Sequence, residues 1–175
     1  YRQELINETL NKFNGIDILV NNVGIGSGKE LLEIDYKDLK KSIETNLIAP
    51  FFLSQKAARI MIDKKINGTI IFISSIHERI PSGNIDYSST KSAITMTVKE
   101  LAYDLGKYGI RVNGIAPGRI TKEKIDDQRI PLSSQSGTTE DIADIVTFLS
   151  NITLSGYITG ETITVDGGLS LHFER

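Results

Sequence analysis

The sequence predicts an α/β fold, a parallel sheet flanked by helices on both faces. Three observations lead there. Short β-branched runs recur at 16–20, 69–74, 109–115 and 162–165, and stretches of helical length with periodic apolar residues separate them. Polar or glycine-rich punctuation follows the end of each run. Strands alternating with helices require right-handed crossovers and a parallel sheet. Such a sheet binds ligands beyond the carboxyl ends of its strands.

Each element follows from local pattern. Leu5, Ile6, Leu10 and Phe13 fall at helical spacing, so residues 2–13 read as an amphipathic helix, stopped by Asn14-Gly15. Ile16 to Val20 reads as a buried strand with Asn21-Asn22-Val23-Gly24 at its carboxyl end, and glycines at 24, 26 and 28 make a flexible loop. Asp35 reads as an N-cap, with Asp38 three positions on completing a capping box. The helix it opens runs to about Lys64, with Pro50 expected to kink it. Asn67-Gly68 turns the chain into a second buried strand at 69–74, ending in Ser74-Ser75. Pro81-Ser82-Gly83-Asn84 is a loop before a helix from about Asp86 to Lys107. A third strand at 109–115 is closed by Ala116-Pro117-Gly118, and residues 119–138 are polar and irregular. Thr138-Thr139-Glu140-Asp141 starts a helix whose stripe, Ile142, Ile145, Val146 and Leu149, is expected in the core. Ile158-Thr159-Gly160 leads into a last strand, Thr162 to Val165, ended by Asp166-Gly167-Gly168. No repeat, low-complexity run or linker divides residues 1–175, so one domain is expected.

Composition excludes several classes of function. Net charge is −2, which gives no basic field for nucleic acid or an anionic membrane. There is no cysteine, hence no disulfide framework and no thiolate chemistry. The two histidines, His77 and His172, are far apart and no metal site is expected. The longest apolar stretch, Asn46 to Leu53, is too short to span a bilayer, and no signal peptide opens the chain, so the expected location is cytoplasmic. The chain opens at Tyr1 without an initiator methionine, already inside a helical pattern, which leads to the expectation that sequence upstream is missing.

The chemistry concentrates at Ser74-Ser75 and at Tyr87-Ser88-Ser89-Thr90-Lys91. Tyr87 and Lys91 are four positions apart and share a helix face. A phenol is a poor base near neutrality, but an ammonium fixed nearby favours phenolate and makes the group a usable proton donor and acceptor. A serine hydroxyl at the same spot can hydrogen-bond a substrate oxygen. The set suits moving a proton on or off an alcohol or carbonyl oxygen while a hydride moves elsewhere. By itself a Tyr-x-x-x-Lys pair is weak evidence, because it also occurs on solvated helix faces. Asn21 to Gly24, the serine pair, Pro117-Gly118 and the amino end of the Tyr87 helix nevertheless converge on one sheet edge.

Taken together, these motifs resemble the short-chain dehydrogenase/reductase family. The resemblance rests on Asp17-Ile18-Leu19-Val20-Asn21-Asn22-Val23-Gly24, Thr45-Asn46-Leu47, Ile73-Ser74-Ser75 and Tyr87 to Lys91. It continues through Gly109-Ile110-Arg111-Val112-Asn113, Pro117-Gly118, Ile158-Thr159-Gly160 and Val165-Asp166-Gly167-Gly168, in the family's order along essentially the whole chain. It implies a Rossmann-type sheet and NAD(P)-dependent oxidation or reduction of a small alcohol or carbonyl compound. It further implies that Tyr87 is the acid/base, that Lys91 supports it and binds the nicotinamide ribose, and that Ser75 polarises the substrate oxygen. Asn46 would hold a water relaying protons to Lys91. Asn21 and Gly24 would lie beside the adenosine half of NAD or NADP, and Pro117, Gly118 and Ile120 would meet the nicotinamide. The family also leads to the expectation of a homo-oligomer, a dimer or tetramer, through helices matching 36–64 and 87–107.

The sequence departs from the family in four places. The glycine-rich loop after the family's first strand, and the residue after its second strand that selects NAD or NADP, have no counterpart, so the family's first three strands are absent. The family's usual spacing of thirteen from serine to tyrosine falls on Ser74, whereas the local Ile-Ser-Ser pattern points to Ser75. A threonine stands at 121 where the family often has one at the position of Lys122, and the loop after Arg119 looks short for a lid. Ser75-Ile76-His77-Glu78-Arg79-Ile80-Pro81 resembles the matching stretch of bacterial glucose 1-dehydrogenases, which implies a sugar substrate with His77 or Glu78 near the pocket; the general pattern resembles 3-oxoacyl-carrier-protein reductases equally well. The competing expectation is a truncated, non-catalytic binding or assembly protein that keeps the fold without cofactor turnover.

Overall fold

The structure, a computed structural model, describes residues 2–171, so Tyr1 and His172 lie outside the described residues. Helix α1 (Arg2–Phe13) leads to strand β1 (Ile18–Asn21). Helices α2 (Tyr36–Ile43) and α3 (Ala49–Asp63) follow, then β2 (Thr69–Ile73), α4 (Ile85–Leu105) and β3 (Arg111–Pro117). The short strands β4 (Ile120–Thr121) and β5 (Gly137–Thr138) precede α5 (Thr139–Ser150), α6 (Ile152–Ser155) and β6 (Thr162–Val165). The main sheet has the order β1-β2-β3-β6 and every pairing is parallel.

Alternation along the strands splits the core in two. Ile70, Phe72 and Val112 face Ala57, Met61, Ile94 and Val98 of α3 and α4, with Ile6 of α1. Ile71, Ile73 and Ile115 face the other way, onto Leu149 and the partly buried Ile142, Ile145 and Val146 of α5. A fully buried side chain of this kind contributes roughly 1.5–3 kcal/mol.

Three expectations change. The strand expected at 16–20 is shifted to Ile18–Asn21 and is buried on one side only: Asn21 is buried and Leu19 packs on the core, while Ile18 is 48% and Val20 38% exposed. α5 packs on β2 and β3 but has no comparable packing on β1, which stands at the sheet edge, as expected where the family's first strands have no counterpart. The helix from Asp35 to Lys64 does not simply kink at Pro50. Its middle, Glu44–Ile48, widens into a π-helical turn in which Ala49 N–H reaches back to Glu44 O, and Pro50 sits in the first turn of α3. Pro50 has no N–H to give to the carbonyl four residues back, so the regular ladder has to break there. Residues 119–138 are not irregular throughout, because β4 pairs with β5 and Asp126 bridges to Gln135.

Both expected helix starts are present. The Asp35 side chain accepts from Lys37 and Asp38 N–H, and Asp38 accepts from Asp35 N–H. Asp141 accepts from the N–H and hydroxyl of Thr138. Among the described residues no helix is long and apolar enough to cross a membrane, and no cluster of His, Asp and Glu is arranged to hold a metal ion.

Candidate active site

The carboxyl ends of β1, β2 and β3 open into a cavity of about 660 Å³. Ser75, Tyr87, Lys91, Gly24, Pro117, Gly118 and Ile120 all line it, so seven of the nine residues singled out in the sequence meet there. Asn46 and Asn21 do not.

Tyr87 and Lys91 stand on the first turns of α4, and the Lys91 ammonium lies 5.4 Å from the centre of the Tyr87 ring. Lys91 is 2% exposed, and its Nζ donates to the Ile73 carbonyl at 2.7 Å, at the end of β2. Burial pushes the Lys91 ammonium down to about 8, a drop that the Glu78 carboxylate partly opposes. A Cβ at Gly24 would come within 2.9 Å of Lys91 Nζ. The absent side chain at 24 thus leaves the space that the ammonium uses. A Cβ at Gly118 would meet Asp166 at 2.6 Å, so the chain can pass there only as glycine.

The two serines are used differently. Ser74 is buried and its hydroxyl donates to the Lys91 carbonyl at 3.2 Å, tying the end of β2 to α4. Ser75 caps the short 3₁₀ turn Ile76–Glu78 by accepting from His77 N–H, which leaves its own O–H proton uncommitted at the cavity wall.

Asn46 sits in the π-helical turn, wholly buried. Its amide donates to the Ile25 carbonyl at 2.7 Å and to Thr90 Oγ1 at 2.9 Å, and its oxygen accepts from Ile25 N–H at 2.8 Å. Thr90 in turn donates to the Tyr87 carbonyl. Asn46 therefore ties the loop after β1 to the first turn of α4. Asn21 points away from the cavity and donates to Ser54 of α3 at 3.0 Å; the next residue, Asn22, lines the cavity instead.

Asp86, beside Tyr87 and wholly buried, was not singled out in the sequence. It accepts from Ser42 Oγ at 2.5 Å, from Ser27 N–H at 2.9 Å and from Ser27 Oγ at 3.1 Å. Burial alone would push its carboxyl up, but the hydrogen bonds from Ser42 and Ser27 outweigh it and hold the group below its usual value. Its only sequence signal is an acidic residue at a helix start, which reads equally well as a solvated N-terminal charge.

Of the pair expected near the pocket, His77 sets its ring edge-on to Tyr87 at 6.4 Å between centroids. The Glu78 side chain is 1% exposed and turned into α4, where Oε2 accepts from Thr95 at 2.6 Å. Arg79 Nε lies 3.1 Å from its other oxygen. The Glu78 carbonyl also accepts from Ser92, so this residue pins the turn after Ser75 to α4 at two points.

The outer wall is α5. Thr139, Ile142, Ala143, Val146 and Thr147 line the cavity, although its stripe reads in sequence as core; only Leu149 is fully buried.

The chain is similar to known proteins along nearly its whole length. The family model described as Enoyl-(Acyl carrier protein) reductase matches residues 2–170. The chain is 34% identical to a 3-oxoacyl-[acyl-carrier-protein] reductase of Synechocystis, over 95% of the chain and 70% of the relative. It is likewise 34% identical to glucose 1-dehydrogenase 2 of Bacillus subtilis, over 97% and 70%. A short chain dehydrogenase from Bacillus anthracis superposes with a TM-score of 0.92 at 33% identity, over 99% of the chain and 72% of that structure. Acetoin dehydrogenase from Salmonella typhimurium superposes with a TM-score of 0.91 at 27% identity, over 98% and 72%. The chain spans about 70% of the length of these proteins and belongs to the short-chain dehydrogenase/reductase family of oxidoreductases.

Proposed function

We propose that the protein interconverts an alcohol and a ketone or aldehyde, with Tyr87 giving a proton to the carbonyl oxygen in reduction and removing it from the hydroxyl in oxidation. The observation that carries this reading is the buried Lys91 ammonium beside the Tyr87 ring in a cavity that also presents the unused hydroxyl proton of Ser75. Ser75, rather than Ser74, steadies the substrate oxygen, because Ser74 spends its proton on the Lys91 carbonyl. Asn46 holds the loop after β1 against α4, and so keeps Gly24 and Lys91 in register.

A nicotinamide cofactor, when bound, would supply or accept the hydride on the substrate carbon. The residues present fit its nicotinamide half: the cavity has an apolar wall of Val20, Ile142 and Val146, the close turn at Pro117-Gly118, and the Lys91 ammonium for a ribose hydroxyl. Asn22 takes the place expected of Asn21. A structural relative, 4-hydroxyisoleucine dehydrogenase, has been solved with NADH. NAD and NADP both suit these residues. The outward faces of α3 and α4 carry exposed Phe51, Phe52, Met96 and Tyr103, which supports a homo-oligomer through these helices.

The test is nicotinamide-linked turnover of a panel of alcohols, ketones and sugars by wild type and Tyr87→Phe. Turnover by wild type with either cofactor, falling by about 10²–10⁴ in kcat in the variant, is expected. Cofactor binding without turnover of any member, or an unchanged Tyr87→Phe rate, would overturn it.

A further inference from the structure

A second cavity, of about 580 Å³, adjoins the first at Gly118, which lines both. His77 stands at the boundary, its ring against Tyr87. A molecule whose reacting oxygen lies at Tyr87 has this space for its far end. The walls are apolar at Ile76, Ile80, Pro81 and Leu169, and the charged groups that line it are two guanidiniums, Arg119 and Arg129.

Those guanidiniums are held from behind. Asp127 is buried, with 5% of its side chain exposed, whereas Arg119 and Arg129 are 42% and 62% exposed. Arg129 spends Nε and Nη2 on Asp127 at 2.9 and 2.8 Å, a two-pronged pair that fixes its plane. Arg119 gives Asp127 only one Nη1 contact, at 2.7 Å, so most of its fork of donors remains for another acceptor. Hydrogen bonds from Arg129 and Arg119 keep the Asp127 carboxyl well below the usual carboxylate range, so it stays ionised. Two cations share one carboxylate, leaving a surplus positive charge beside an apolar wall, where a charge is screened less than in open water. Asp127 N–H is bonded to the Ser134 carbonyl and Arg129 N–H to Asp127 itself, so the cations are in place before anything binds.

We propose that this cavity receives an anionic head group, a carboxylate or a phosphate, carried by the carbonyl or alcohol substrate, with Arg119 as its principal contact. The proposal rests on the reading of Tyr87 as the proton donor, because that fixes which end of the substrate lies here. It separates this chain from an enzyme of neutral sugars or simple ketones.

The test pairs each anion with a neutral counterpart: acetoacetate with acetoacetamide, and dihydroxyacetone phosphate with dihydroxyacetone. Binding is measured by ligand-observed NMR on the full-length protein, and nicotinamide-linked kcat/KM is measured alongside. In at least one pair the charged member should bind tighter by about tenfold or more; which pair responds tells carboxylate from phosphate. Arg119→Gln should bring that ratio close to one. It leaves the Arg129–Asp127 pair that holds the loop, and circular dichroism checks the fold; Arg129→Gln serves as the second variant. Equal binding within both pairs, or a preference that survives both substitutions, overturns the anion site. Turnover of neutral carbonyls with no preference for charge overturns it and leaves the proton-transfer reading standing. Arg119-dependent binding without turnover does the reverse.

Discussion

The two faces of the sheet make different use of the same kinds of residue. On one face, Phe72, Ile70 and Val112 meet Met61, Ala57, Ile94 and Val98, and those contacts exclude water almost completely. On the other, α5 brings a stripe of similar apolar character, yet only Leu149 is fully buried, and Ile142 and Val146 look into a cavity. The first face holds the chain together. The second leaves apolar surface unburied where a flat ligand can cover it. Lys91 joins the two: its helix packs on the closed face, while its ammonium lies at the end of β2 in the open one.

The sharpest way to break this contrast is on the closed face. Phe72→Ala should cost about 3–5 kcal/mol, read as a lower midpoint in urea unfolding. Asp86→Ala should cost about 2–4 kcal/mol, because it strands the Ser42 hydroxyl and the Ser27 N–H. A cost below 1 kcal/mol would mean that this clamp is solvated.

Lys91→Met should act in the opposite direction. A lysine whose pKa falls on folding, here from 10.5 to about 8, binds its proton more tightly in the unfolded chain between those values. Burying the ammonium therefore costs stability below about pH 8, and the cost fades as pH rises towards 10.5. The variant should be more stable at pH 7 by roughly 1–3 kcal/mol, since the lost bond to Ile73 offsets part of the gain, and the gap should narrow at pH 10. Its turnover should fall at least a hundredfold. A Lys91→Met protein less stable than wild type at pH 7 would mean that the ammonium is better solvated than its burial indicates. On the open face, Thr147→Ala should change stability by no more than about 0.5 kcal/mol, because this exposed hydroxyl bonds only to its own helix at Ala143.

The alternation of strands and helices, the capping box at Asp35, the helix start at Thr138, and the meeting of Ser75, Tyr87 and Lys91 are legible in the sequence because each rests on local spacing. What escapes it depends on partners far along the chain. Glu78 reads as a pocket residue beside His77 until Thr95 is seen to hold it. Asp86 depends on serines 44 and 59 positions away. Val20 and Ile142 read as core because periodicity reports which face a residue takes, not whether another element covers that face. Asn21 and Asn22 are equal as motif residues, and only the alternation of β1 turns the first towards Ser54 and leaves the second at the cavity.

The Asn46 clamp reaches beyond proton chemistry. The loop from 22 to 30 has no helix or strand and is largely exposed, so its amides would be expected to exchange with deuterium as freely as those of a frayed end. Three are hydrogen-bonded: Lys29 N–H reaches only the Ser27 hydroxyl within the loop itself, whereas Ile25 N–H is locked onto buried Asn46 and Ser27 N–H onto buried Asp86. These last two exchange only when the π-helical turn or the start of α4 lets go. In a deuterium-labelling experiment the amides of Ile25 and Ser27 become built-in gauges: exchange at 25 and 27 slower than at 23, 24 and 26 reports that the Tyr87 helix is seated, with no substrate or cofactor present.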